Sequence, residues 1–425
     1  MRMRAFWAGW LAIALLVSSG LAWTPKALAY TDEQRILLQA WRTVNQAYLD
    51  DTFNGHNWWL VRQRLLRRNL TSREETYTAI DEMLAQLGDP FTRLLRPEQY
   101  RSLQVATAGE LSGVGLQIDL DPESQQLQVV APIAGSPAAE AGIEPRERIL
   151  AIDGRSTQGL SLDEAASQMR GPIGTTVTLE LQRPQQATSH SVAIRRDRIE
   201  LNPVTARLDR ETGPQPIGYL RLAQFSANAT ADLKAAIADL QAQGAQAFIL
   251  DLRNNPGGLL QAGIEVARLW LQDRTIVYTV NRQGAFDSFA AGPGAIAPDQ
   301  PLAVLVNGGT ASASEILAGA LQDNQRAILV GDRTFGKGLI QSLFELPDQA
   351  GLAVTVAKYE TPNHTDINRQ GITPDQIVPQ EPLGWRELGT AADSQYQVAV
   401  QALAPGLTAT APAPVSQRPP RLALE

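Results

Sequence analysis

Cysteine is absent from the 425-residue chain, and histidine occurs only at His56, His190 and His364. The lack of cysteine excludes disulfides, thiol nucleophiles and cysteine-ligated metals. The scarcity of histidine limits every mechanism that needs an imidazole to three positions. None of these histidines belongs to a His-Glu-x-x-His pattern or another paired spacing, so we expect no metal site and no cofactor.

Long apolar runs are also missing after the first thirty residues, where no stretch approaches the roughly 18 apolar residues of a membrane span. At the start of the chain, Arg2 and Arg4 precede the apolar segment Ala5–Val17, and Ala27-Leu28-Ala29 forms a small-x-small cleavage site. This order is typical of a signal peptide, and it predicts export and a mature chain that begins near Tyr30. An uncleaved membrane anchor is the alternative interpretation. No Arg/Ser-rich transit peptide precedes the segment, which favours a bacterial source.

Positive charge is in short supply as well, because the formal net charge is −7. A nucleic-acid-binding protein normally carries a basic field, so that class of function is disfavoured. The hydrophobic fraction of 44% excludes wholesale disorder. At roughly 150 residues per domain, the length predicts about three domains.

Residues 30–109 have the pattern of helices. Thr31 and Gln34 form a capping box, and apolar residues then recur at helical spacing on one face. Segments 60–66 and 76–87 repeat this pattern, so we interpret the region as packing rather than chemistry.

Residues 110–197 are rich in short strands separated by glycine turns. The predicted strands are 114–118, 127–130, 148–152 and 176–182, with an amphipathic helix at 162–170. This order resembles a PDZ domain of the bacterial protease type. The resemblance implies that backbone N–H groups of Gly113, Val114, Gly115 and Leu116 bind the terminal carboxylate of a peptide, which adds as a strand. The alternative is that the two glycines serve only a bulge or turn.

Residues 198–380 alternate strands and helices, as a βαβ-type core does. The apolar runs 247–253 and 302–306 each end in a polar, glycine-rich turn, and parallel sheets place their sites at such strand ends. The tail beyond about Ala402 is rich in Ala, Pro and Thr, a composition that predicts disorder within a C-terminal segment 381–425.

Two turns in this core could carry chemistry. Ser312 begins a helix with Glu315 three residues later, which is a capping box that needs no catalysis. The second turn, 331–338, contains Lys337 between glycines. It fails as a phosphate loop because Gly338 replaces the required Ser/Thr and an extended segment follows.

The segment Thr310–Ile316 and the segment Thr334–Gly338, with 25 residues from Ser312 to Lys337, closely resemble the C-terminal processing peptidases. These are PDZ-containing serine proteases with a Ser–Lys pair, and the match runs in order over 31–380. The resemblance implies a multidomain α/β fold with a signal peptide (1–29), a helical region (30–109), a PDZ-like domain (110–197), a protease core (198–380) and a C-terminal segment (381–425). It also implies these roles: nucleophile Ser312, general base Lys337, lysine-orienting Gln341, oxyanion-hole donors Gly258 and Ala313, and near-site acidic residues Glu315 and Asp323.

The chemistry of such a pair is reasonable on its own terms. Serine needs a base to take its proton, and burial lowers a lysine pKa towards the range where the neutral amine can act. We expect Phe335 to help desolvate Lys337, and we expect the Ala313 N–H at a helix N-terminus to face a developing oxyanion.

Three other classes of protein are alternatives to this interpretation. A Ser-His-Asp hydrolase would need His364, which the surrounding polar residues place in an exposed loop. A metalloprotease lacks its ligands. The non-enzyme alternative is an exported PDZ-bearing binding or quality-control protein with an inactive core.

The resemblance is greatest to the cyanobacterial and plastid-lumen type, which processes the C-terminal extension of a photosystem II reaction-centre precursor. We therefore predict an endopeptidase in the periplasm or thylakoid lumen. The expected partner is a protein or peptide with a free C-terminus, such as the tail of a membrane protein.

Overall fold

A computed structural model describes residues 30–404, except 122–123, 134, 185, 187, 285, 380–382 and 384–386. The predicted signal peptide and the tail from residue 405 onwards lie outside the described residues. No helix in the described part combines the length and apolarity that crossing a membrane requires.

The N-terminal region is helical, as predicted. Its elements are α1 Asp32–Ala47, α2 Trp58–Leu66, α3 Arg73–Ala85, β1 Arg93–Leu95 and α4 Pro97–Ala108. The capping box of Thr31 and Gln34 is present at the start of α1, with both reciprocal hydrogen bonds formed. The apolar faces of α1 to α3 pack against residues of a later hairpin, including Leu346 and Leu352. The N-terminal helices therefore share one core with the catalytic half of the chain.

The second unit is a small sheet capped by helices. Its elements are β2 Glu110–Gly113, β3 Leu116–Leu120, β4 Leu127–Pro132, α5 Pro137–Glu140, β5 Arg148–Ile152, β6 Arg155–Ser156, α6 Leu162–Met169, β7 Thr176–Gln182, β8 Ser189–Arg195 and β9 Asp197–Glu200. The main sheet has the order β3-β4-β5-β7-β8, so β3 is an edge strand. The outer ribbon β2–β9 is antiparallel and closes the ends of the unit.

The third unit contains two sheets. Its elements are β10 Val204–Asp209, β11 Ile217–Leu222, α7 Ala229–Ala242, β12 Ala247–Asp251, α8 Leu260–Ala267, β13 Thr275–Asn281, β14 Phe286–Ala290, β15 Leu302–Val306, α9 Ala313–Asp323, β16 Ile328–Gly331, β17 Leu339–Glu345, β18 Gly351–Glu360, β19 Gln376–Ile377 and α10 Ser394–Ala402.

The first of these sheets has the order β10-β11-β12-β15-β16-β19, and all its strands after β10 run parallel. Strands β12 and β15 are buried at every residue, because helices cover both faces of the sheet. Helices α7, α8 and α9 pack on one face, and α10 packs on the other. The βαβ core expected from the sequence is confirmed, with the carboxyl ends of β12 and β15 side by side.

The second sheet was not foreseen. It has the order β1-β18-β13-β14, with β17 also paired to β18, and it is antiparallel. Strand β1 comes from the N-terminal region, where Arg93 pairs with Ala353. This pairing brings the turn before β1 to the segment that holds Lys337.

Candidate active site

The turn after β15 presents Ser312 in a strained conformation. Thr310 is buried, and its hydroxyl lies 2.9 Å from the carbonyl of Leu252 and 3.0 Å from the N–H of Asn307. These bonds join the ends of β12 and β15. Ser312 then has φ 59° and ψ −118°, a backbone region that L-residues rarely occupy and that is typical of a nucleophile on a sharp strand-to-helix turn.

The predicted capping box pairs Ser312 with Glu315 at this helix, but the Ser312 hydroxyl makes no cap hydrogen bond. The Ser312 N–H donates to Glu315 Oε2 at 2.9 Å, whereas the Glu315 N–H donates to the Ser312 carbonyl at 2.8 Å rather than to its hydroxyl. Ser312 Oγ makes no hydrogen bond to any residue that the structure describes. The serine therefore begins α9 with its backbone, and its hydroxyl is available for chemistry.

The turn after β12 lies directly against this serine. A Cβ added to Gly257 would come within 2.9 Å of both Ala313 N and Ser312 Cβ. A parallel bridge to Phe225 uses the carbonyl of Gly257 and the N–H of Leu259, so the Gly258 N–H between them points away from the bridge. Among the described residues, neither the Gly258 N–H nor the Ala313 N–H donates a hydrogen bond. Both predicted oxyanion donors thus lie beside Ser312 with their N–H groups unused.

Lys337 is half-buried, and burial lowers the pKa of its ammonium below the ordinary value. The nearby charge of Arg93 lowers this pKa further, whereas Glu315 and Asp89 oppose the change. The Nζ atom lies 5.2 Å from the ring centroid of Phe91. The expectation that Phe335 desolvates the lysine is wrong, because Phe335 is 57% exposed and the aromatic contact comes from the N-terminal region instead. That region, interpreted from the sequence as packing alone, contributes to the surroundings of the lysine.

Two buried side chains contact the backbones of both Ser312 and Lys337. Glu315 Oε2 accepts hydrogen bonds from the two N–H groups, each at 2.9 Å. The Tyr359 hydroxyl lies 2.6 Å from the Lys337 carbonyl and 3.1 Å from the Ser312 carbonyl. We call this pair, Glu315 and Tyr359, the backbone clamp. It places the two backbone nitrogens no more than about 6 Å apart, since both share one acceptor atom.

The other oxygen of Glu315 binds the turn before the lysine. Oε1 accepts hydrogen bonds from the Gly336 N–H at 2.8 Å and from the Thr334 hydroxyl at 2.5 Å. Glu315 is fully buried, so these four donors stand in for water around its carboxylate. The sequence predicted that Glu315 caps a helix, and in the structure its carboxylate also binds the turn 332–338 that holds Lys337, which we call the lysine turn.

The remaining predicted residues are arranged less tightly. Gln341 donates to Thr355 Oγ1 at 3.4 Å, and the structure gives it no hydrogen bond to Lys337. Asp323 is the last residue of α9, about 16 Å along the helix from Ser312, where it accepts a hydrogen bond from the Asn363 N–H. The structure therefore does not bring Asp323 to the nucleophile. His364 is exposed and contacts Glu360 and Tyr278, as a loop histidine would.

A buried ionic cluster lies at the base of the Gly257-Gly258 turn, and the sequence reasoning missed it. Arg253 bonds to Asp251 and, 140 residues later, to Asp393, with nitrogen–oxygen distances of 2.7 and 2.6 Å. All three side chains are fully buried. A charged pair at the end of an otherwise apolar strand was the available signal for this cluster.

The predicted carboxylate-binding loop lies at the free edge of the second unit. The Val114 carbonyl accepts from the Ala138 N–H, and the Gly115 carbonyl accepts from the Ile133 N–H at 2.9 Å. The Val114 and Gly115 N–H groups have no partner among the described residues. Strand β3 follows at the sheet edge, and α6 packs beside it. An edge strand beside a helix is the geometry to which an extended peptide adds as another strand.

Ser312 is strained and lies beside a half-buried lysine and two unused N–H groups on an α/β core. Together with the edge-strand module that precedes the core, this arrangement defines a PDZ-bearing serine hydrolase. Comparison with known proteins agrees. The model of peptidase family S41 matches residues 216–378, and a PDZ domain model matches residues 128–183.

Curated relatives match nearly the whole chain. It is 61% identical to the carboxyl-terminal-processing protease of Synechocystis sp., covering 96% of this chain and 95% of that protein. It is 45% identical to the chloroplastic carboxyl-terminal-processing peptidase 2 of Arabidopsis thaliana, covering 86% and 73%. A solved photosystem II D1 C-terminal processing protease aligns with a TM-score of 0.55 at 39% identity, covering 85% of this chain and 99% of that one. The chain belongs to peptidase family S41, among the carboxyl-terminal-processing proteases, and it is a serine peptidase.

Proposed function

We propose that this peptidase is exported to a periplasm or thylakoid lumen and cleaves near the C-terminus of a photosystem II reaction-centre precursor. The relatives support this substrate, since one solved relative is called a photosystem II D1 C-terminal processing protease. The chloroplastic and cyanobacterial relatives support the compartment.

In the proposed mechanism, Ser312 is the nucleophile and neutral Lys337 is its base. Lys337 Nζ takes the hydroxyl proton as Ser312 Oγ attacks the scissile carbonyl carbon. The N–H groups of Gly258 and Ala313 hold the oxygen that becomes negative. The protonated lysine then gives its proton to the leaving amine, and water hydrolyses the acyl-enzyme with the lysine as base again.

The single observation that carries this proposal is the strained, uncapped Ser312 held through Glu315 to the backbone of Lys337. No hydrogen bond joins Ser312 Oγ to Lys337 Nζ among the described residues. Proton transfer requires this contact to form, and catalytic hydrogen bonds commonly tighten only when substrate is bound.

The experiment compares Ser312→Ala, Lys337→Ala, Lys337→Arg and His364→Ala in cleavage of a defined precursor peptide, with products identified by mass spectrometry. Ser312→Ala and both lysine variants should lose at least about 10⁴-fold in kcat. Lys337→Arg should be as inactive as Lys337→Ala, because arginine keeps its proton and cannot act as a base. His364→Ala should retain wild-type turnover. A folded Ser312→Ala protein that still cleaves would show that the nucleophile lies elsewhere.

Substrate selection is proposed to depend on the loop from Gly113 to Leu116. Gly115 has φ 79°, and an added Cβ would lie 2.2 Å from Ser136 Cβ, so substitution there would disturb the loop itself. Changing the C-terminus of the substrate tests recognition without disturbing the protein. Amidating the terminal carboxylate removes its charge and should weaken binding by about 1.5–3 kcal/mol, or roughly ten- to a hundredfold in KM.

The test measures kcat and KM for one peptide with free and amidated C-termini. A matched pair amidated only at an internal glutamate serves as the charge control. Equal KM values for the free and amidated termini would reject tail recognition while leaving the peptidase assignment intact.

A further inference from the structure

The Lys337 carbonyl has one donor in the described structure, the Tyr359 hydroxyl at 2.6 Å. The Ser312 carbonyl, by contrast, also accepts the N–H groups of Glu315 and Ile316 at 2.8 and 3.0 Å. A tyrosine hydroxyl has one proton to donate. The Lys337 carbonyl is closer to the Tyr359 hydroxyl and has no other donor among the described residues, so it is the main acceptor of the tyrosine proton.

Tyr359 is built into the protein firmly enough to position another group. It is 1% exposed, it lies on β18, and its own N–H donates to the Gly338 carbonyl at 3.0 Å. Burial raises the pKa of its hydroxyl well above the ordinary value, so the hydroxyl keeps its proton across the working range of an enzyme. The side chain and the backbone of one residue thus bind two consecutive carbonyls of the lysine turn.

The turn that Tyr359 binds is held by contacts with other elements, among them Glu315 and the Thr310 carbonyl, which accepts the Phe335 N–H at 3.0 Å. Residues 332–338 lie between β16 and β17 without regular structure. The clamp residue Glu315 fixes the Lys337 N–H, and Tyr359 fixes its carbonyl. Together they orient the peptide groups on both sides of the Lys337 Cα, from which the side chain must reach the serine.

We propose that Tyr359 is a positioning residue that sets the approach of Lys337 to Ser312 through its hydrogen bond to the Lys337 carbonyl. This inference rests on the proposed roles of Ser312 and Lys337. Loss of the bond lets the lysine turn shift, and a displacement near 1 Å at a reacting group can cost up to about 10²-fold in rate. The hydrogen bond from Tyr359 takes no part in substrate binding, so KM should be unchanged.

The experiment replaces only the hydroxyl. Tyr359→Phe should lower kcat by about 10- to 10²-fold with KM within about twofold, the split expected when ground-state binding is intact. The rise of kcat with pH should move to higher pH, because a loosened turn exposes the lysine to water. Replacement of Tyr359 by p-aminophenylalanine, which restores a donor at the same place, should recover most of the activity.

The matched control is Tyr396→Phe. Tyr396 is also fully buried, and its hydroxyl donates to Asp209 at 2.7 Å on the opposite face of the parallel sheet. This variant should lose stability but keep the wild-type kcat and pH profile. Thermal unfolding by circular dichroism separates loss of fold from loss of function, and an unstable variant is assayed at lower temperature.

Three outcomes would overturn the proposal: wild-type kcat and pH profile in folded Tyr359→Phe, equal losses of kcat in the Tyr359 and Tyr396 variants, or no recovery with p-aminophenylalanine. A variant that folds only when the donor is present would show a purely structural role and would also overturn it. Ser312→Ala is run alongside. Activity in that variant would refute the proposed dyad, whereas an inactive Ser312→Ala with a fully active Tyr359→Phe would refute only the positioning role.

Discussion

Replacing Asp393 by alanine should cost the protein about 3–5 kcal/mol of unfolding free energy, the cost of breaking one side of a buried ion pair. Asp393 accepts two hydrogen bonds from Arg253, at 3.0 and 2.6 Å, and further bonds from the N–H groups of Gly389 and Tyr396. Alanine removes all four acceptor contacts. Arg253 keeps its bonds to Asp251 and to Gln395 Oε1, but it loses one of its two carboxylate partners in a fully buried site.

The pH dependence of this loss follows from the carboxyl group. Burial alone would raise the pKa of Asp393, but the bonds from Arg253 and the backbone outweigh it, and the pKa lies below the ordinary value. A carboxyl with a lowered pKa stabilises the fold above its unfolded pKa, and that stabilisation is lost as the pH falls through the folded pKa. The difference between wild type and variant should therefore be constant near neutrality and narrow only below about pH 4.

The assay is urea unfolding followed by circular dichroism, with Asp323→Ala as the control. Asp323 accepts one backbone hydrogen bond at a helix end, so its loss should cost only about 0.5–1.5 kcal/mol. The Asp393 variant should also turn over more slowly while folded, because Arg253 anchors the turn that carries the Gly258 N–H. A loss below about 1 kcal/mol for Asp393→Ala would refute the view that the cluster joins α10 to the catalytic sheet.

Two further changes test the site. Lys337→Met should make the inactive protein harder to unfold at neutral pH, since the folded state disfavours the charged lysine. A lowered lysine pKa destabilises the fold below that pKa, so the gain in unfolding free energy should shrink as the pH approaches about 10.4. A gain that grows with pH in urea titrations would contradict this. Gly257→Ala should lower kcat by about 10–10³-fold, because its Cβ would lie 2.6 Å from the Ala311 carbonyl and displace the oxyanion turn. Gly244→Ala is the control, with a similar φ of 97° and open space around the Cβ, and equal kcat losses in both variants would show that backbone strain rather than displacement is responsible.

Much of the fold was predictable because it depends on local patterns. The capping box of Thr31 and Gln34, the strand 176–182 and the buried strands β12 and β15 follow from spacing and apolar runs over a few residues. The predicted ends of the strands and helices were less accurate. The strand predicted at 114–118 begins only at Leu116, since Gly115 has φ 79° and interrupts the extended backbone.

Long-range contacts were the part that the sequence could not supply. Nothing near Lys337 in the sequence indicates Phe91, whose contact depends on β1 pairing with β18. Phe335, the neighbour in sequence, is exposed, because adjacent side chains in an irregular turn need not point the same way. Asp323 matched a motif but lies at the far end of its helix, since helical rise separates residues that a motif groups together.

The sequence by itself determined the order of the units, the PDZ-like module, and the serine and lysine that the resemblance singled out, because each is encoded in a short run of residues. The tertiary structure decided how those two residues are held. Glu315 and Tyr359 bind the backbones of both Ser312 and Lys337. Phe91 contacts the lysine, and Asp393 forms a second ion pair with Arg253. Apart from the local bond between Glu315 and Ser312, these contacts join residues between 22 and 246 positions apart in the chain. Only the packing of separate sheets and helices brings such residues together.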